Sequence, residues 1–259
     1  MGKTIAIANQ KGGVGKTTTA VNLAASLAMT EHKTLLIDVD PQANATAYMG
    51  FDPDGMTGPT LYEALEGQVD LRDTVLATDI PTLKLVPSHI NLIGLEVELL
   101  ERKGRESALR KVIEPLRQEY EFIILDCAPS LGLLTINALT AADTVIVPVQ
   151  PEYFALEGLG KLLHTITLVK DGVNPDLQIE GFVVTMFDGR TRVHNEVLAE
   201  LREHFKDLVF NTVIQRNIRL SEAPSHGKPI ILYDVMCNGS NNYMHLATEV
   251  LEHNGDSAI

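Results

Sequence analysis

The chain has 259 residues, of which 45% are hydrophobic and 21% are charged, a composition typical of a soluble globular protein with one large α/β domain. Its formal net charge of −13 argues against a protein that coats nucleic acid through overall charge, because such binding depends on neutralising phosphates, so any DNA contact is expected to be local. Its two cysteines lack the spacing of metal ligands and are too few for a disulfide framework, which favours reduced thiols.

Membrane spans are not expected, because no apolar run approaches the roughly 20 residues that cross a bilayer. The sequence enters a strand-like run at residues 4–8 without a secretory leader, which predicts a cytoplasmic protein. Neither a repeat nor a linker divides the chain, so a single domain over residues 1–259 is predicted. Within it, residues 50–59 are interpreted as a surface loop and residues 254–259 as a frayed tail.

Short apolar runs alternate along the chain with longer segments of helical spacing, which predicts an α/β fold with a doubly wound, mostly parallel sheet and helices on both faces. The runs are mostly continuous, as is typical of strands buried on both faces. The predicted strands are residues 4–8, 34–38, 83–87, 122–126, 144–148 and 179–186. The predicted helices lie near residues 16–29, 91–101, 105–119, 155–170, 192–205 and 240–253. Because ligands of such sheets bind at the carboxyl ends of the strands, the loops after these strands are expected to share one functional rim.

A glycine-rich turn with two lysines, NQKGGVGKTT at residues 9–18, follows the first predicted strand and precedes a predicted helix. Glycines let backbone N–H groups curve around an anion, and the helix N-terminus adds a partial positive charge. In a turn of this kind Lys16 meets the β- and γ-phosphates and the Thr17 hydroxyl holds Mg²⁺. The turn therefore predicts a P-loop NTPase sheet, with the nucleotide held by Lys11, Gly12, Gly13, Val14, Gly15, Lys16, Thr17 and Thr18.

The turn departs from the standard P-loop pattern, which asks for glycine six positions before Lys16, where Gln10 stands. The remaining KGGVGKTT resembles the deviant Walker-A ATPases, the group that includes the ParA/Soj and MinD families. A second lysine, here Lys11, is the signature of that group. The resemblance implies ATP and Mg²⁺ as cofactors and a homodimer in which Lys11 reaches the ATP of the partner subunit.

Two carboxylates follow the second predicted strand in the segment DVDPQAN, residues 38–44. A carboxylate close to a Mg²⁺-bound triphosphate can orient the attacking water, which is most of what a protein group contributes to phosphoryl transfer. The DxDPQxN segment recurs in the family that the chain resembles, and the resemblance makes Asp40 the residue that positions water. Asp38 is interpreted as structural; the alternative for either residue is a strand-terminal cap.

A third carboxylate, Asp126, ends the apolar run FIIL at residues 122–125 in a Walker-B-like arrangement. Mg²⁺ keeps several waters and takes few protein carboxylates, so Asp126 is predicted to hold the ion through water. In the family the turn after this strand senses the γ-phosphate. A strand-end cap is again the alternative.

The second half of the chain extends the resemblance, since residues 144–159 and 216–229 are similar to the ParA/Soj branch, in its short form without an N-terminal DNA-reading extension. In that branch adenine lies against the segment before Asn217, and Gln215 here replaces a usual proline. Arg190 and Arg219 stand where the family carries residues that bind DNA without sequence preference. The alternative is that both arginines form surface ion pairs with Asp188 and Glu222. Residues 236–243 lack the basic residue that the family commonly carries there.

These observations favour an ATP-dependent dimerising switch of the ParA/Soj type. The resemblance implies an ATPase that binds nonspecific DNA as an ATP dimer and associates with the nucleoid in that form. It further implies slow hydrolysis stimulated by a ParB-like centromere-binding partner, in chromosome or plasmid partitioning.

Two alternatives remain open. The first is a MinD-like or other cargo-positioning ATPase that does not act on DNA, although the acidic C-terminal segment differs from the basic amphipathic helix that binds lipid in the MinD branch. The second is a metabolic enzyme with the same loop, such as nitrogenase iron protein or dethiobiotin synthetase. Cys127 and Cys237 do not match the cysteine pair that the iron protein needs.

Overall fold

The computed structural model describes residues 2–99, 102–153 and 155–255. Within these ranges the strands are β1 (Lys3–Ile7), β2 (Thr34–Asp38), β3 (Leu76–Ala77), β4 (Leu83–Val86), β5 (Phe122–Asp126), β6 (Thr144–Val149), β7 (Gln178–Phe187) and β8 (Val209–Gln215). They form one sheet in the order β3-β4-β2-β5-β1-β6-β7-β8. Every neighbouring pair is parallel except β3 with β4, so the predicted mostly parallel sheet is confirmed.

The six predicted strands are all present, with ends that differ from the predicted ones by one residue or less. Strands β2, β5 and β6 are buried along their whole length, which explains their continuous apolar sequences. Strands β3 and β8 escaped the sequence analysis. The first has two residues, and the second is a half-exposed edge strand whose apolar pattern is interrupted by Asn211 and Thr212.

The helices of the described residues are α1 (Lys16–Met29), α2 (Asn44–Tyr48), α3 (Leu61–Glu66), α4 (Leu92–Leu99), α5 (Ala108–Ile113), α6 (Leu133–Ala141), α7 (Ala155–Gly172), α8 (Arg192–Phe205), α9 (Ile218–Glu222), α10 (Ile230–Tyr233) and α11 (Asn238–His253). The predicted continuous helix over residues 105–119 is wrong, because α5 lies between two 3₁₀ turns, Arg105–Ser107 and Glu114–Gln118. Pro115 begins the second turn and has no N–H group with which to extend α5. Residues 100 and 101 of the predicted helix 91–101 lie outside the described residues.

Helices cover both faces of the sheet, as predicted. In β1 the alternating side chains separate the two cores: Ile5 and Ile7 pack with α1, α2, α10 and α11, whereas Ala6 packs with α3 to α8. Most of α1 is buried, and its first half lies directly under the carboxyl rim of the sheet. Among the helices that the structure describes, none combines the length and apolar composition needed to span a bilayer.

The carboxyl ends of β2, β5, β1, β6 and β7 lie side by side in the sheet, so the loops after these five strands share one rim, as predicted. Residues 51–59 form an irregular and mostly exposed loop, also as predicted. In the predicted tail, Asn254 and Gly255 form a turn after α11, and residues 256–259 lie outside the described residues.

Candidate functional site

The turn between β1 and α1 has a backbone shape that requires glycine. Gly13 and Gly15 have φ values of 72° and 84°, in the left-handed region that disfavours other residues. Gly15 is the N-cap of α1 and supplies no side chain, so the first-turn N–H groups have no cap from that residue. A Cβ on Gly12 or Gly13 would meet no atom within 4 Å. The turn therefore offers an open cradle of N–H donors that fits an anionic phosphate chain.

Lys16 begins α1, and its side chain folds back over the turn. Only 7% of the residue is exposed, and Nζ donates a hydrogen bond to the carbonyl of Lys11 at 3.0 Å. Burial lowers the pKa of Lys16, and the nearby carboxylates, chiefly Asp126, partly offset that effect. A cation held in a buried site that also contains carboxylates is typical of a functional centre.

Asp38 is fully buried at the end of β2, and both of its carboxylate oxygens are bonded within the chain. Oδ2 accepts from the backbone N–H and the hydroxyl of Thr46 at 2.8 and 2.7 Å, and Oδ1 accepts from the Asp40 N–H at 3.2 Å. Burial is the main reason that the pKa of Asp38 lies above its usual range. These contacts anchor α2 to the end of β2, which is a structural role.

Asp40 lies on the rim two residues later and is 6% exposed. Its Oδ1 accepts from the Gln42 N–H at 2.9 Å, and its carbonyl accepts from the Ser88 hydroxyl at 2.6 Å. Asp40 lines a cavity of about 280 Å³ together with Lys16 and Thr17. Its carboxylate is therefore held beside the phosphate cradle by its own loop.

Asp126 ends β5 directly beside Asp38, to which it is aligned in the sheet register. It is fully buried, and within the described part of the chain neither carboxylate oxygen has a hydrogen-bond partner. Burial and the neighbouring Asp38 raise the pKa of Asp126 well above its usual range, and the nearby Thr17 hydroxyl and Lys16 ammonium act in the opposite direction. A buried carboxylate without donors is costly, and a divalent cation beside Thr17 would remove that cost.

Two cavities meet at the glycine turn, and Gly15, Thr18 and Met186 line both of them. The second cavity, of about 240 Å³, lies between β7, β8 and α9, and its lining includes Gln215 and Asn217. The structure thus brings the predicted phosphate loop and the predicted adenine segment together. The Asn217 Oδ1 atom caps α9 by accepting the Arg219 N–H at 2.8 Å.

Three residues of this region were missed from the sequence. The Thr185 hydroxyl donates to the carbonyl of Val14 at 2.8 Å and so braces the glycine turn. Met186 has a φ of 51°, a strained value for a residue with a side chain, where β7 nears its end at the rim. Tyr243, from α11, closes the second cavity. The position of Met186 at a predicted strand end was the one signal that could have identified it.

Lys11 lies at the other end of the glycine turn and pairs with Glu152, which follows β6. Both side chains are partly exposed, at 38% and 47%. In this single chain the signature lysine is therefore neutralised by its own subunit. An exposed pair of this kind contributes little stability, about 0–1 kcal/mol, so a stronger anion can displace Glu152.

Arg190 and Arg219 lie outside both cavities and are engaged in ion pairs. Arg190 donates to both Asp188 oxygens, at 2.9 and 2.8 Å, and this contact holds the pKa of Asp188 well below its usual range. Arg219 donates to Glu222 at 2.9 Å and lies 3.4 Å from Asp234. The alternative expected from the sequence, surface ion pairs, is what the structure contains, and DNA binding at these arginines stays a prediction.

The chain is similar to known proteins over nearly its full length. Residues 2–179 match the family model described as an AAA domain. The chain is 52% identical to the chromosome partitioning protein ParA of Myxococcus xanthus, over 97% of this chain and 89% of that protein. It is 46% identical to the chromosome-partitioning ATPase Soj of Treponema pallidum, over 98% of this chain and 99% of that protein. A solved structure, cobyrinic acid a,c-diamide synthase of Mycobacterium smegmatis with bound ATP analog and magnesium, superposes with a TM-score of 0.86 and 36% identity, covering 98% of this chain and 96% of that one.

Proposed function

Because the chain belongs to the ParA/Soj family of chromosome-partitioning ATPases, we propose that it is an ATP-dependent dimerising switch. As an ATP dimer it binds DNA without sequence preference, and a ParB-like centromere-binding partner stimulates its slow hydrolysis of ATP. The protein is then cytoplasmic and associates with the nucleoid when ATP is bound. One observation carries the proposal: a glycine cradle, a buried lysine, two rim carboxylates and a second cavity lie together at the carboxyl edge of the sheet.

The two cavities fit the two ends of a nucleotide. The triphosphate lies in the cradle with Lys16, and the adenine lies in the second cavity beside Gln215 and Asn217. Thr17 and Asp126 hold Mg²⁺, which neutralises negative charge on the phosphates when it is bound. The unpartnered oxygens of Asp126 support that assignment.

Asp40 is the residue that orients the attacking water. Its carboxylate lines the phosphate cavity, and its own loop fixes it through Gln42 and Ser88. Asp38, in contrast, uses both oxygens to anchor Thr46 and the Asp40 backbone. The chemistry therefore depends on Asp40, and Asp38 supports it by holding α2 in place.

Dimerisation depends on Lys11. When ATP is bound, Lys11 leaves Glu152 and binds the triphosphate of the partner subunit, a stronger anion than a half-exposed carboxylate. The Lys11→Ala variant is expected to bind ATP as a monomer, with the dimer weakened by about 2–5 kcal/mol, the cost of truncating one partner of a buried charge pair. Size-exclusion chromatography with saturating ATP measures the dimer, and Lys33→Ala, an exposed lysine before β2, is the matched control. An undiminished ATP-dependent dimer in Lys11→Ala would refute this role.

DNA binding by the ATP dimer is expected to shift nonspecific DNA in a gel with ATP but not with ADP, and to fade as salt rises. Each subunit contributes Arg190 and Arg219, so the dimer presents four guanidinium groups once their acidic partners release them. The Arg190→Ala, Arg219→Ala double variant should lose up to about 3.6 from the salt slope, roughly 0.9 for each phosphate contact. Arg72→Ala removes another exposed, ion-paired arginine and serves as the control. An equal shift in the double variant would exclude these arginines as the DNA contact.

The metabolic alternative has weaker support. The chain is 52% identical to a partitioning protein but 36% identical to the cobyrinic acid a,c-diamide synthase, with nearly full coverage in both comparisons. The cysteines do not favour an iron–sulfur cluster either, since Cys127 is buried beside Asp126 and Cys237 is the N-cap of α11. Partitioning is therefore the function that these observations favour.

A further inference from the structure

Asn22 is a buried polar residue of α1 that belongs to none of the roles described above. Only 1% of it is exposed. Its Nδ2 donates to the carbonyl of Thr18 at 2.7 Å and to the hydroxyl of Tyr48 at 3.1 Å. Its Oδ1 accepts from the backbone N–H of Ile230 at 2.7 Å. One amide thus joins the helix of the phosphate cradle to two segments that are distant in sequence.

Tyr48 connects Asn22 to the loop that carries Asp40. It is the last residue of α2, the five-residue helix that begins four residues after Asp40. The N-terminal half of this helix is anchored to Asp38 through Thr46, and its C-terminal end is anchored to Asn22 through the Tyr48 hydroxyl. Burial raises the pKa of Tyr48 to about 12, so the hydroxyl is un-ionised at neutral pH. Asn22 therefore holds the far end of the element that positions Asp40.

Ile230 connects Asn22 to the wall of the base cavity. It begins α10, directly after residues 217–229, and that segment supplies Asn217, Leu220 and Pro224 to the cavity. The Ile230 N–H is buried in the contact with Asn22. A shift of the cavity wall would break this bond, so the wall and Asn22 move together.

A second contact joins the same two segments without passing through Asn22. Gly50, two residues after α2, packs against Gly227, and both have positive φ values, 86° and 63°. A Cβ on Gly50 would lie 2.9 Å from the Gly227 carbonyl oxygen, and one on Gly227 would lie 2.6 Å from the Gly50 Cα atom. The two backbones are in direct contact, which keeps the wall of the base cavity and the end of α2 in one register.

We propose that Asn22 is a positioning residue that makes the Asp40 loop respond to the base of the nucleotide. Adenine in the second cavity fixes the segment 217–229, the Ile230 N–H fixes Asn22, and Asn22 fixes α2 through Tyr48. A triphosphate without a base fills the cradle but does not order this path. The inference rests on the proposed function, since it takes the second cavity as the base site and Asp40 as the residue that orients water.

The test compares the full-length chain with its Tyr48→Phe variant, which loses one hydroxyl and keeps the ring and the bond between Asn22 and Ile230. The variant should lower kcat for ATP about tenfold, because a small misplacement of a catalytic group is costly, and leave KM within about twofold. The rate with inorganic tripolyphosphate should stay within about twofold of the wild-type rate, because that substrate never used the path. Asn22→Ala, which breaks both links, should show the same loss of kcat for ATP. Tyr120→Phe, a half-buried tyrosine before β5, is the matched control.

Hydrogen exchange provides a measurement that does not require hydrolysis. Adding ADP to the wild-type protein should slow exchange at residues 44–49 by on the order of tenfold, and Tyr48→Phe should lose that protection although it still binds ADP. An equal fractional loss of rate with ATP and tripolyphosphate would make Tyr48 merely structural and overturn the inference. Retained ADP protection in Tyr48→Phe would overturn it as well. A wild-type protein that neither binds nor hydrolyses ATP would instead refute the proposed function.

Discussion

Replacing Lys16 with alanine is expected to abolish nucleotide binding in practice, raising the Kd for ATP by at least about 100-fold. Lys16 supplies the buried cation of the phosphate cradle, and hydrogen bonds to charged groups contribute about 1.5–3 kcal/mol each, so the loss of two phosphate contacts exceeds the roughly 2.7 kcal/mol of a 100-fold change. Isothermal titration with ATP and Mg²⁺ gives the Kd. Because Lys16 lies near Asp126 and Asp40, its removal also leaves these carboxylates with less positive charge around them.

A folding control is therefore part of this experiment. Lys16→Met keeps most of the side-chain volume, and its circular dichroism spectrum should match that of the wild type. Lys33→Ala removes an exposed lysine far from the cradle and should bind ATP normally. A folded Lys16→Met variant that binds ATP with wild-type affinity would mean that the cradle is not the triphosphate site.

Replacing Asp40 with alanine should separate binding from hydrolysis. The variant is expected to bind ATP with nearly unchanged affinity and to hydrolyse it about 100–1,000-fold more slowly, the scale on which a positioned acid or base contributes to a rate. Because hydrolysis dissolves the ATP dimer, the dimer should accumulate. Single-turnover hydrolysis and size-exclusion chromatography with ATP measure the two effects. A variant that stays monomeric in saturating ATP would contradict the assignment.

The Asp40→Asn variant distinguishes chemistry from structure. Asparagine keeps an oxygen that can accept the Gln42 N–H, so it preserves the turn and removes only the negative charge. It should therefore be as slow as Asp40→Ala and at least as stable. Asp54→Ala, in the exposed loop 51–59, is the control and should retain wild-type hydrolysis. Wild-type hydrolysis by Asp40→Asn would show that the carboxylate itself is not needed.

The phosphate half of the site could be predicted from the sequence because it is local. Residues 9–18 form one turn, and the positive φ values of Gly13 and Gly15 are backbone properties that the glycines themselves permit. Asp38 and Asp126 could be placed side by side because each ends a continuous apolar strand, and parallel strands end at one edge. Short-range geometry and strand burial are therefore sufficient for this part.

The elements missed from the sequence are those whose formation depends on neighbours. Strand β8 is an edge strand with an interrupted pattern, and α3 is a six-residue helix held by the capping box of Thr60 and Glu63. The predicted long helix over residues 105–119 broke at Pro115 into shorter turns. Helices this short have almost no intrinsic stability, so packing determines where they form.

The amino-acid sequence by itself determined the order of strands and helices, the glycine cradle and the carboxylates at the strand ends, because each depends on residues close together in the chain. Only the tertiary structure decided the base cavity and the Asn22 contacts, since Thr185 meets Val14, Tyr243 meets Thr19 and Ile230 meets Asn22 across separations of 171, 224 and 208 residues. Such contacts arise when buried polar groups must find partners in a packed interior, and that requirement leaves no pattern in any single window of sequence.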